Sequence, residues 1–157
     1  MLLATAITAT VALLGIAVIF GADVVAAVVL RPTYASVDDR TLVQAAGRGH
    51  HFGDKRLPVA GILGVICTAL TAALAFIAGV PLAATLAALA LLLLVIWLIL
   101  FARVAKPINA RLTAAALADD VPEDARALQD RWESIITIRA VIQGGAVALL
   151  CAVLFLI

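Results

Sequence analysis

Long stretches without any ionisable side chain alternate along this chain with two shorter polar segments. No Asp, Glu, Lys or Arg lies between residues 1 and 22, between 57 and 102, or between 140 and 157. About 20 apolar residues at 1.5 Å rise cross the hydrocarbon core of a bilayer. The pattern therefore predicts four membrane-spanning helices, at about 3–30, 58–79, 81–102 and 134–157. The first ends at Arg31-Pro32, where arginine can reach the interface and proline favours a helix boundary. The run 57–102 is too long for one span and suits two, with Gly79-Val80-Pro81 as the turn signal between them. No basic group follows Met1, and the first run stays apolar through Leu30. That reads as a retained membrane helix rather than a cleaved signal.

The polar segments are 31–56 and 103–133. In the first, a short helix through Thr41–Ala46 is allowed, and Gly47, Gly49 and Gly53 argue against a longer one. In the second, Ile108, Leu112, Ala115 and Ala116 recur at helical spacing beside Lys106 and Arg111. This reads as an amphipathic extension of the third span, lying at the membrane surface. Asp120-Val121-Pro122-Glu123 has the form of a capping box. It should start a helix that carries Leu128, Trp132 and Ile135 or Ile136 on one face and continues into the last span. Gly61 and Gly64 give the second span a small-residue packing face, which in a dimer would be the place to look for the interface. The expected fold is all-α: a single domain, residues 1–157, forming a polytopic four-helix transmembrane bundle with amphipathic interfacial segments.

Composition strengthens this reading. The chain is 66% hydrophobic and only 13% charged, with a mean hydropathy of +1.21, far above the roughly 45–50% apolar usage of soluble domains. The eleven Lys and Arg residues fall in or beside the two polar segments, which join spans 1–2 and 3–4 and so share one side. The positive-inside rule places both polar segments in the cytoplasm and both termini outside, in the cytoplasmic membrane. There is no basic stripe with interleaved aromatics, so nucleic acid is not an expected partner. Cys67 and Cys151 lie within apolar runs and read as small buried hydrophobes.

Two ionisable groups enter the spans. Asp23 precedes Leu30 by seven residues and Arg139 follows Glu133 by six, which places both about 10 Å inside from the same end. An unpaired charge at that depth is costly, so Asp23 and Arg139 are expected to face each other. His50 and His51 are the only histidines. Adjacent histidines project differently and rarely share a metal, so no metal site is expected; either imidazole can serve as an acid–base group because it titrates near neutrality, and His50 is slightly preferred. With spans 1 and 4 adjacent, Asn109, Arg131 and Trp132 would roof the space above Asp23 and Arg139. A carboxylate, two guanidiniums, an amide and an indole at one mouth suit a flat, partly polar molecule such as a phenol or quinone, and suit a lipid headgroup nearly as well.

Phe20-Gly21-Ala22, Arg31-Pro32, Pro107-Ile108-Asn109, Arg131-Trp132 and Arg139 together resemble the anthrone oxygenase-like family of small four-helix membrane proteins (DUF1772). The resemblance covers most of the chain with short, scattered motifs. It implies oxidation of an anthrone-like substrate and points to Asn109, Trp132 and Arg139. His50 as proton acceptor is an inference from the residues. The expected catalytic set is His50, Asn109 and Arg139, with Asp23, Arg131 and Trp132 lining the substrate pocket and no cofactor. The mechanism is proton removal by His50, stabilisation of the enolate by Arg139 with Asn109, and attack of molecular oxygen. The alternatives are a non-catalytic membrane subunit or assembly factor, and a lipid or small-molecule binding or export protein. The expected partners are membrane lipid, a hydrophobic aromatic ligand, and further copies of the chain or a larger membrane complex.

Overall fold

The computed structural model describes residues 1–157 and is helical almost throughout. Four continuous helices follow one another: α1 (Leu2–Ala35), α2 (Asp39–Ile77), α3 (Pro81–Leu117) and α4 (Ala125–Leu156), each long and apolar enough to cross a membrane. Their up-down course puts both termini and the Ala78–Val80 turn at one end of the bundle and the two polar loops at the other. Neighbours in the ring run α1–α2–α3–α4–α1, with little contact across the α2–α4 diagonal.

The packing is inverted relative to a water-soluble bundle. Much of the deep core is alanine: Ala9, Ala12, Ala75, Ala83, Ala87 and Ala90 are all fully buried, whereas Leu3, Leu14, Phe76 and Phe155 are exposed. Large side chains such as Ile16, Leu94, Ile136 and Leu150 are buried between these alanines. Small residues bring the backbones close, and dispersion and backbone contact do the rest. A Cβ on Gly64 would lie 2.4 Å from the Ile16 side chain, and one on Gly15 2.6 Å from the Ala60 carbonyl. The Gly64 side of α2 is therefore filled by α1 within one chain.

Several expected boundaries are corrected. The helix of span 1 does not stop at Arg31-Pro32 but passes through it to Ala35, and α3 likewise passes through Lys106-Pro107. Each proline follows a wider π-helical turn, Ala26–Leu30 and Phe101–Ala105 respectively. A wider turn changes the carbonyl spacing that a proline ring would otherwise clash with, and lets the helix continue. Segment 39–56 is not a broken region: it is the first half of the 39-residue α2, capped by the Asp38 carboxylate, which accepts from the Thr41 amide at 2.9 Å. Gly47 is a point of close approach rather than a breaker, since a Cβ there would sit 2.2 Å from the Leu112 carbonyl oxygen. The 106–117 segment does not lie flat as an interfacial helix. It stands on as the end of α3 and packs against α2 through Leu42, Val43, Ala46, Ile108, Leu112 and Ala116. Asp120 does not cap α4, which begins at Ala125 with no side-chain cap.

At 1.5 Å per residue α2 is about 58 Å long, roughly twice the hydrocarbon thickness of a bilayer. Its charged half, with the ends of α3 and α1 and the start of α4, forms a polar extension of the bundle. Ion pairs tie that extension together: Arg111 to Asp124 at 2.9 Å, and Arg126 to Asp39 at 2.6 Å, with Arg126 also donating to the Tyr34 and Val37 carbonyls.

Candidate functional site

The junction between apolar bundle and polar extension holds a cavity of about 520 Å³. Its wall is mainly apolar, with a few polar groups arranged in two tiers. In the lower tier Arg139 donates through Nη2 to Asp23 Oδ1 at 2.9 Å, and Gln143 Nε2 donates to Asp23 Oδ2 at 2.6 Å. The expected meeting of α1 and α4 through Asp23 and Arg139 is what the structure shows. Gln143, one helical turn beyond Arg139, completes the carboxylate and had no signal in the sequence beyond its place on the Arg139 face.

The upper tier crosses three helices. Trp132 Nε1 on α4 donates to Asn109 Oδ1 on α3 at 2.9 Å, and Asn109 Nδ2 donates to the Asp54 carboxylate on α2 at 3.0 Å. Asn109 is therefore committed on both sides of its amide and acts to position Trp132 and Asp54. Asp54 is not among the residues that the sequence singles out; it lines the cavity, and burial lifts its carboxyl above the ordinary range against the opposing pull of Asn109 and Lys106. Arg31, Glu133 and Gln129 close the mouth: Arg31 pairs with Glu133 at 3.2 Å, and Gln129 donates to Glu133 at 2.8 Å.

His50 stands one helical turn before Asp54 and packs against Trp132 with ring centroids 5.4 Å apart. Burial, with a smaller push from Arg139, holds its imidazole down to about 4, so it is neutral at pH 7. His51 is not part of the wall; its ring meets Phe52, and its Nε2 lies 3.0 Å from Lys55 Nζ. Arg131 lies on the exposed face of α4, outside the cavity. Of the six residues expected at the site, the structure thus gathers Asp23, His50, Asn109, Trp132 and Arg139 in one cavity wall and leaves Arg131 out.

Four side chains of this wall carry a buried polar atom with no protein partner: His50 Nε2, Trp97 Nε1, Gln129 Oε1 and Arg139 Nε. All four are packed against protein rather than open to the cavity, and Gln143 Oε1, which does not line it, is likewise without a partner, so these atoms do not by themselves mark a guest. The Arg139 guanidinium also sits 5.7 Å from the ring centroids of both Phe101 and Trp132. Such cation–π contacts attract the guanidinium to both ring faces. No group of three or more His, Cys, Asp or Glu side chains is placed to hold a metal ion. The wall reaches the outer surface through Ile62, Ile66 and Leu98, which are exposed on the sides of α2 and α3.

No protein-family model, curated protein or solved structure matches this chain.

Proposed function

We propose that this chain is an integral membrane protein, with termini outside and polar extension in the cytoplasm, that binds a flat, partly polar aromatic molecule in the cavity at its mouth. The observation that carries the reading is one mainly apolar cavity of about 520 Å³ whose wall also holds Asp23, His50, Asp54, Asn109, Trp132 and Arg139. Small-molecule sites are mostly apolar concavities of roughly 300–1,000 Å³ with a few convergent polar groups. The exposed Ile62, Ile66 and Leu98 give a molecule dissolved in the bilayer an apolar way in.

The chemistry that fits is proton abstraction next to a carbonyl. A neutral His50 accepts a proton from an acidic carbon, the electron pair delocalises onto the substrate oxygen, and the Arg139 N–H stabilises that oxyanion. Asp23 keeps Arg139 charged and oriented, while Asn109 holds Trp132 against His50. Molecular oxygen then oxidises the carbanion: a CH₂ group becomes C=O, one oxygen atom enters the product, and the other leaves as water. Kinship with the anthrone oxygenase-like family is part of the proposal and rests on the short motifs around Arg31-Pro32, Asn109, Trp132 and Arg139.

The test is oxygen uptake by purified protein across a panel of anthrones and hydroquinones. Acceleration over protein-free controls, lost in His50→Gln and Arg139→Met, is the expected result. Failure of every panel member to react faster than its control would end the oxygenase reading, and binding without turnover would leave a ligand-binding protein.

A further inference from the structure

We infer that the ligand of this cavity carries a single hydrocarbon chain. Its polar ring sits at the level of Asp54 and Asn109, and the chain runs down the α2 wall and leaves between α2 and α3 into the bilayer. The inference rests on the ligand-binding reading above and adds to it a second, linear part of the molecule.

The cavity is long for its volume. The α2 positions that line it run from Ala46 to Ile66, and those of α1 from Ile19 to Tyr34. At 1.5 Å per residue these walls cover about 30 Å and about 22 Å of helix. A volume of about 520 Å³ drawn out over such a length is a channel, and a flat ring system alone would fill only part of it. The channel is also divided. Asp23, His50, Asp54, Asn109 and Arg139 stand toward its polar end, and α4 lines it no deeper than Arg139. Below Asp54 the α2 wall is Leu57, Pro58, Gly61, Ile62, Val65 and Ile66, about 14 Å of helix without an ionisable side chain.

The lower end leads outward. A Cβ on Gly64 would lie 2.4 Å from the Ile16 side chain, so α1 and α2 are in contact beneath the channel. The Trp97 ring, stacked on Phe101, would lie 3.5 Å from a Cβ on Gly61. These contacts close the way down the bundle axis. Ile62, Ile66 and Leu98, by contrast, line the channel and are 58%, 52% and 38% exposed. A chain that follows them reaches the hydrocarbon without passing a polar group. The upper end sets the head. Its two arginines are already paired, Arg31 with Glu133 and Arg139 with Asp23, which leaves no free cation for a phosphate or carboxylate. Asp54 accepts from Asn109, so a hydroxyl of the head can donate to it, whereas an anionic head would meet its charge.

The experiment is competition between para-decylphenol and para-cresol, which share a phenol head and differ in the chain. Wild-type protein released from detergent is read by native mass spectrometry with both probes at equal concentration. The decyl compound should be retained at least about tenfold over the cresol, the scale of burying two methylenes. Equal retention overturns the inference and leaves the ligand cavity standing. Retention of neither probe overturns the cavity reading itself. Displacement of the decyl compound by dioleoyl phosphatidylglycerol would overturn the neutral, single-chain class. The route is read with the same phenol carrying a diazirine in its chain. Photolabelling should fall on residues 61–66 and 97–98 and vanish with excess unlabelled decylphenol. Labelling spread equally onto Leu14 and Phe76, which are more exposed, or labelling that the excess does not remove, would overturn the route.

Discussion

Asp23 and Arg139 show how one ion pair can organise a low-dielectric interior. Both side chains are more than nine-tenths buried, and Gln143 completes the carboxylate. Removing one partner strands the other charge, so Asp23→Ala should cost about 3–5 kcal/mol and lower the detergent melting temperature markedly, whereas an apolar Asp23→Leu/Arg139→Met double variant should recover much of the loss. His50 is the residue whose titration is most displaced outside the spanning segments. Its ordinary value is 6.5 and its folded value about 4. The unfolded chain therefore binds a proton first as pH falls, and stability contributed by the neutral ring is present above 6.5 and lost between 6.5 and 4. The full loss amounts to roughly 3 kcal/mol. Wild type should lose melting temperature across that window more steeply than His50→Gln. Parallel curves would show that His50 is not buried as described.

At the scale of the helices, glycine has opposite meanings at neighbouring positions of α2. Gly47→Leu would drive a side chain into the Leu112 carbonyl and the Ala116 methyl, and should separate α2 from the end of α3. Gly49 has nothing within 4 Å of an added Cβ, so Gly49→Ala should be neutral or stabilise the helix by up to about 1 kcal/mol. Thermal melts of the two variants compare these outcomes directly. The same pair shows where sequence reading reached its limit. Four apolar spans, the Gly79-Val80-Pro81 turn and the common depth of Asp23 and Arg139 all follow from hydropathy and helical rise. The continuity of α2 through Gly47, Gly49 and Gly53 does not, because propensity counts the entropy of glycine and not the partner helix that approaches it. The continuity through Pro32 and Pro107 depends on π-turns at Ala26–Leu30 and Phe101–Ala105, which leave no mark in residue type. His50 and Trp132 were legible as candidates because the chain has only two histidines and because Trp132 stands just before the last span. Asp54 and Trp97 were not, since their roles depend on which face of a long helix turns inward.

At the scale of the whole molecule, a core rich in alanine inside an exterior rich in large apolar side chains suits a bundle whose exterior is solvated by hydrocarbon. Leu14, Ile62, Phe76 and Phe155 are exposed, and in water such apolar surface would be unfavourable. In a cytoplasmic membrane, a single cysteine placed at Ser36 in a Cys67→Ala/Cys151→Ala background should react with an impermeant thiol reagent only after cells are opened. Labelling from outside intact cells would invert the proposed topology. Whether the cavity beneath the polar extension holds a ligand is read by native mass spectrometry of the protein lifted from its own membrane in mild detergent. Gly53 lines the cavity, and an added Cβ there meets only the Leu57 side chain, at 3.8 Å, so Gly53→Phe should occupy cavity space. The wild-type chain should retain a small-molecule mass that is lost from folded Gly53→Phe. A wild-type chain that carries no such mass, or a mass that Gly53→Phe retains unchanged, would contradict a ligand in this cavity.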